Sequence, residues 1–227
     1  DLRGETHLRA WMLREARGAN VVDADGNVFV DLAAGFGVAA LGHGDPRITA
    51  ALAEQSARLV HGFGDVHPSD AKVELLERLA ALAPWDDARG ILGAHGGDAI
   101  EAALKTAMLA TGRPGVLAFE GGYHGLSHGP LALGGFEPRF REPFAAQLSP
   151  HVVFAPWPAE HDRSDTALEA GEPAWGEAST GAVFVEPMQG RGGFRPAPPG
   201  FLRALGELAP ARGALLVVDE IMMGLGR

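Results

Sequence analysis

The sequence has no cysteine. Disulfides, thiolate nucleophiles and cysteine-ligated metals are thereby excluded, and nothing points to an oxidising compartment. Lysine is scarce as well: of nineteen Lys and Arg side chains only Lys72 and Lys105 are lysines. Any chemistry that needs a lysine has two places to find it. No apolar run approaches the ~20 residues that span a bilayer, and Asp1-Leu2-Arg3-Gly4-Glu5 carries no hydrophobic signal-peptide core. Positive charge is in deficit, with a formal net charge of −10. That balance speaks against a nucleic-acid backbone or an anionic membrane as partner. These absences predict a soluble, cytoplasmic protein.

What is present is ordinary globular material: 227 residues, 46% hydrophobic and 21% charged, enough apolar side chains for a sizeable core. Ala214-Leu215-Leu216-Val217-Val218 runs into Asp219-Glu220, the pattern of a strand buried on both faces with an acid where it leaves the sheet. Residues 20–32 place two short strands around Asp25-Gly26-Asn27, a β-hairpin. Asp45-Pro46 opens a helix over about 46–60, and Ser69 another that stops at Pro84. Ile91-Leu92 reads as a very short strand, Ala99–Thr111 as a helix with Asp98 as its cap, and Val116–Phe119 as a strand. Further strands are expected at Val152–Ala155 and Ala182–Val185, with a helix over about 199–211 and a surface connection over 156–181. Strands alternating with helices predict an α/β fold, a mainly parallel sheet covered on both faces.

Four loops that follow strands carry the chemistry. Gly96-Gly97-Asp98 stands before a helix, where exposed backbone N–H groups and the helix dipole suit a phosphate; a plain glycine turn reads the same. Tyr123, the one tyrosine, lies among Gly121, Gly122 and Gly125. Glycines there let a flat ligand approach and the phenol ring offers it a face. Glu186-Pro187-Met188-Gln189-Gly190 follows the third, and Asp219 with Ile221 the fourth. In extended backbone those last two side chains share a side. His124 and His128 are four apart, but the surrounding glycines oppose a helix, so no metal site is expected. An apolar strand ending in Asp-Glu also invites a nucleotide-hydrolase reading, which fails because neither lysine sits in a Gly-x-x-x-x-Gly-Lys-[Ser/Thr] loop. A phosphorylated, nitrogen-containing aromatic ring satisfies all four loops: pyridoxal 5'-phosphate, with a carboxylate favouring the protonated ring nitrogen.

The order of motifs resembles the class III (ornithine/GABA/acetylornithine-type) aminotransferases, fold type I pyridoxal-phosphate enzymes. The likeness runs through Val22–Asn27, Gly42-His43-Gly44-Asp45-Pro46, Gly96–Ala103, Phe119–Gly125, Val185–Gly190 and Val218–Ile221 with Gly224–Arg227. It implies amino transfer from an amine or amino acid to a keto acid. It implies phosphate on Gly96 and Gly97, ring stacking by Tyr123, His124 beside the cofactor, and Glu186 organising the pocket. Asp219 would meet the ring nitrogen and Ile221 cover the other face, with Phe36 and Arg191 toward substrate. A homodimer is implied, with residues 1–45 in the small domain and 46–227 forming the first part of the cofactor-binding large domain.

The chain also departs from that pattern. Gly97 stands where a Ser or Thr hydroxyl is usual, and Leu126, Arg191 and Met222 replace the Arg, Glu and Gln typical of ornithine- and GABA-type members. Met222 cannot hydrogen-bond a phenolate as an amide does. Arg191 reverses a charge, which argues against a simple diamine or ω-amino acid donor and for contact with a substrate carboxylate; a solvated surface Arg is the plainer reading. The Schiff-base lysine is missing: Lys72 and Lys105 fall on helix positions that turn to solvent, and no catalytic residue is assigned in this chain. The sequence is accordingly expected to be a fragment. A decarboxylase, racemase or aminomutase would share these motifs, and a non-catalytic cofactor-binding or interaction protein descended from the fold is the remaining alternative.

Overall fold

A computed structural model describes residues 12–64, 66–159, 175 and 179–226. Asp1–Glu5, most of the connection expected over 156–181, and Arg227 lie outside the described residues. Two compact units divide the chain between Arg89 and Gly90.

In the first unit β1 (Leu13–Arg17), β2 (Asn20–Asp23) and β3 (Val28–Val30) form an antiparallel sheet in that order. The β2–β3 hairpin is the one predicted. Asp23 Oδ1 accepts from the N–H groups of Asp25 (3.0 Å) and Asn27 (2.9 Å), and Oδ2 from the Asn27 amide. Gly26 takes φ +86° at the turn, a region other residues enter only with strain. The Asn27 side chain, helped by the turn N–H groups, holds the Asp23 carboxyl below the usual carboxylate range. Helix α1 (Pro46–Arg58) starts on Asp45, whose carboxylate accepts from the Arg47 N–H at 2.8 Å, and α2 (Asp70–Leu82) on Ser69. Strand β1 was not foreseen: Leu13-Arg14-Glu15-Ala16-Arg17 has no apolar alternation and pairs through its backbone.

The second unit is built on a parallel sheet of β4 (Gly115–Phe119), β5 (Val152–Ala155), β6 (Thr180–Val185) and β9 (Leu215–Val218), in the order β5-β4-β6-β9. A two-stranded ribbon of β7 (Met188–Gln189) and β8 (Arg195–Pro196) leaves the end of β6. Period-two alternation sorts the side chains of the central strands onto two faces. Leu117, Phe119, Val183 and Val185 pack with Phe201, Leu205 and Ala209 of a helix over Phe201–Ala211. Val116, Ala118, Ala182 and Phe184 pack with Ile100 and Ala107 of α3 (Gly96–Thr111). Between those helices lie α4 (His128–Ala132), α5 (Pro138–Arg141) and a 3₁₀ turn (Glu142–Gln147), so the Phe201–Ala211 helix is α6. Both sheet faces are covered, as expected for an α/β fold.

Three local expectations are corrected. Ile91-Leu92 pairs with no strand and both side chains are exposed. Helix α3 begins at Gly96, not Ala99: His95 is the cap, its Nδ1 accepting from the Asp98 N–H at 3.3 Å, while Asp98 turns back to the Ala94 N–H at 2.8 Å. Strand β9 is not buried on both faces, because it is the edge of this sheet with Leu215 and Val218 each 38% exposed. The apolar run was read correctly as a strand, but burial depends on a second neighbour that an edge strand lacks.

Candidate functional site

Parallel strands deliver their following loops to one edge of the sheet, where ligands of such folds bind. Here the loops after β4, β6 and β9 and the amino end of α3 enclose a cavity of about 240 Å³. Gly96, Gly97, Tyr123, His124, Gly125, Glu186, Met188, Arg191, Asp219, Ile221, Met222 and Met223 line it. Every site residue expected from the 96–221 stretch is therefore in one place. Phe36 belongs to the other unit, where it sits at φ +59° with its ring exposed. No lysine lines the cavity, and Lys105 faces solvent on α3.

At the helix end, the first N–H groups of α3 have no intrahelical acceptor, as at any helix start. Among the described residues nothing else accepts from Gly96 or Gly97. Both glycines stand close to neighbouring side chains. A Cβ on Gly96 would stand 2.8 Å from Ile221 Cδ1, and one on Gly97 would stand 3.0 Å from both the His95 ring and Ser127 Oγ.

The acid at the other side is fixed by a buried pair. His124 Nδ1 lies 2.8 Å from Asp219 Oδ2, with both side chains almost fully buried. An ionised carboxylate only accepts, so the contact places a proton on Nδ1. The His124 ring rests edge-on against Phe184 of β6. Asp219 Oδ1 accepts from the Ile221 N–H at 3.0 Å, which folds the chain into a turn. Asp219 and Ile221 are therefore brought to the cavity by a side-chain-capped turn and not by the extended backbone expected for them.

Glu186 ties two loops together. Its Oε1 accepts from the Tyr123 N–H at 2.8 Å and its Oε2 from the Gly190 N–H at 3.2 Å. Burial pushes its carboxyl above the usual range, the two N–H groups and His124 opposing this only in part. Gln189, wholly buried, donates to the Glu120 carbonyl at 2.8 Å and fastens the same loops a second time. Tyr123 offers a ring at the cavity wall, with the Arg191 guanidinium carbon 4.7 Å from its centroid. Met188, Met223 and Gly125 were not singled out as site residues. Met223 could have been found as the neighbour of Met222 on the turn after β9.

The set matches a phosphorylated pyridine in its chemistry: unpaired N–H donors for an anion, a phenol and an aliphatic side chain for a flat ring, and a carboxylate for a ring N–H. The aminotransferase class-III family model matches residues 3–227. The chain belongs to the class-III aminotransferase family. Within the family it is 39% identical over 210 residues to acetylornithine aminotransferase of Methanopyrus kandleri, covering 92% of this chain and 51% of that protein. It is 36% identical over 235 residues to 5-aminovalerate aminotransferase DavT of Pseudomonas putida, covering 99% and 54%. Among solved structures it resembles an amine transaminase from an uncultivated Pseudomonas species in its PLP-bound form, at 26% identity and TM-score 0.86, over 96% of this chain and 54% of that one. The chain thus spans about half the length of the curated relatives it matches. Fold type I, the α/β architecture of the class-III family's structures, is the fold of this chain.

Proposed function

We propose that the protein is a pyridoxal-phosphate-dependent aminotransferase, moving an amino group from an amine or amino acid to a keto acid, and that it works as a cytoplasmic homodimer. One observation carries the cofactor assignment: the unpaired N–H groups of Gly96 and Gly97, the Tyr123 ring and the Asp219 carboxylate line a single cavity. The dimer reading is supported by Leu32, Phe36, Val38 and Leu41, all at least 74% exposed in the first unit, a run of apolar side chains that a second subunit would cover. On the same reading, residues 1–45 are part of the small domain and 46–227 the first part of the large one.

When bound, pyridoxal phosphate supplies a protonated pyridine that draws electrons from the carbon bearing the amine. Gly96 and Gly97 would bind the phosphate through backbone N–H groups at a helix end whose dipole favours an anion. Tyr123 and Ile221 would hold the ring between a phenol and an aliphatic side chain. Asp219 would accept the ring N–H, and His124, 2.8 Å from its Oδ2, keeps the carboxylate oriented. Glu186 fixes the backbone of Tyr123 and Gly190, and with it the distance between two walls. Met188, Met222 and Met223 would give the ring apolar neighbours in the same cavity.

The test uses the protein at its full natural length. Purified protein titrated with pyridoxal phosphate is expected to develop absorbance above about 400 nm, which an amino donor then discharges and a keto acid restores. Absence of the band refutes the cofactor assignment. Loss of carboxylate, or inverted stereochemistry without a keto product, points to a decarboxylase or racemase on the same scaffold.

A further inference from the structure

Resting on that cofactor reading, we propose that Arg191 selects the substrate: its guanidinium binds a carboxylate carried by the amino donor or the keto acceptor. Arg191 follows β7 in a turn closed by the N–H groups of Gly193 and Phe194 on the Gly190 carbonyl. From there its guanidinium reaches an aromatic cluster, 4.7 Å from the Tyr123 centroid, 5.5 Å from Phe136 and 6.0 Å from Phe140. The rings attract the cation and narrow the positions of a side chain that would otherwise be mobile in solvent. They contribute no acceptor for its five N–H donors, which lie in the guanidinium plane as a fork matched to a carboxylate.

The counterion account singles this arginine out. Arg139 lies against the same Phe140 ring, but its charge is paired with Glu137. Among the described residues no carboxylate is within ion-pair distance of Arg191. The two acids of the cavity are already committed, Glu186 to two backbone N–H groups and Asp219 to His124 and the Ile221 N–H. Arg191 is therefore the one Lys or Arg in the lining, and it lacks an anion. Phosphate has its own donors at the start of α3, on a different segment. A carboxylate beside Arg191 would complete the pairing, whereas the cationic far end of a diamine would be repelled.

Full-length protein loaded with pyridoxal phosphate would be compared with Arg191→Met and Arg191→Lys, measuring cofactor Kd, the Kd of glutarate and of neutral glutaramide, and the KM for 2-oxoglutarate. Arg191→Met is expected to raise the glutarate Kd and the 2-oxoglutarate KM about tenfold or more, the scale of a lost charge-assisted contact. Arg191→Lys, which keeps the charge and loses the fork, should fall between, and the glutaramide Kd should not follow either change. A glutarate Kd in Arg191→Met equal to wild type overturns the proposal. So does a weakened cofactor Kd with carboxylate binding intact, which would give Arg191 to the phosphate and leave the cofactor reading standing. A wild-type protein that takes up no cofactor removes both.

Discussion

Replacing Asp219 by Asn changes one atom of the site and little of its shape. The remaining oxygen still accepts from the Ile221 N–H, now 3.0 Å away. The new amide nitrogen takes the place of Oδ2, 2.8 Å from His124 Nδ1, and the ring can accept from it by carrying its proton on Nε2. Folding should therefore suffer by only about 1 kcal/mol. Asp219→Ala, which leaves the buried imidazole without a partner, should cost about 1–3 kcal/mol. Function should divide differently. The charge that favours a protonated ring nitrogen is gone in both variants, and a hydrogen bond to an ionised group contributes about 1.5–3 kcal/mol, or roughly 10- to 150-fold in affinity. The amino-transfer rate should fall further than affinity, because the need for a protonated ring grows as negative charge develops. Urea unfolding of the apo protein, fluorescence titration with cofactor and stopped-flow absorbance with an amino donor measure the three quantities. An Asn variant with wild-type affinity and wild-type rate would refute the role assigned to Asp219.

Three further outcomes are expected. Because burial raises the Glu186 carboxyl, the folded protein keeps a proton that the unfolded chain has lost. Stability should then decline as pH rises from the ordinary carboxylate range through the raised value, by no more than about 1.4 kcal/mol per pH unit. Glu186→Gln should lack that part of the slope in urea unfolding across pH; an identical slope in both proteins refutes the assignment. Gly181→Ala would put a Cβ 2.4 Å from the Arg113 carbonyl and 2.5 Å from Thr111 Oγ1, and should lower stability by about 1–3 kcal/mol, read as a reduced urea midpoint. Arg113→Ala removes the 2.7 Å contact from Nη1 to the Arg212 carbonyl that joins the approach to β4 with the end of α6. A loss of about 1 kcal/mol is expected, and none at all would show that water replaces the contact.

The parts of this structure legible in the sequence are those written in short spans. Asp25-Gly26-Asn27 specifies its own hairpin, Asp45-Pro46 and Ser69 their own helix starts, and Ala182–Val185 a strand, because a few adjacent residues settle each. The start of α3 was misplaced since histidine is an uncommon cap and Asp98 a common one. Strand β1 was missed because its charged residues show no period, and the exposure of β9 because edge position is a property of the sheet and not of the strand. At the site, the glycines, Tyr123 and Asp219 could be named from strand-end positions and the family likeness. The His124–Asp219 pair could not be derived from spacing, since 95 residues separate the partners. Nor could the stacking of Arg191 on rings from two other segments.

The cavity draws on residues from position 96 to position 223, and it exists only once β9 has joined β6. A molecule gripped by all of these loops binds the finished sheet and has nothing to hold in the unfolded chain. It thereby acts as a thermodynamic clamp, adding about 2.7 kcal/mol at a hundredfold excess over its dissociation constant. Raising the free cofactor concentration would then raise the fraction of the chain that stays folded.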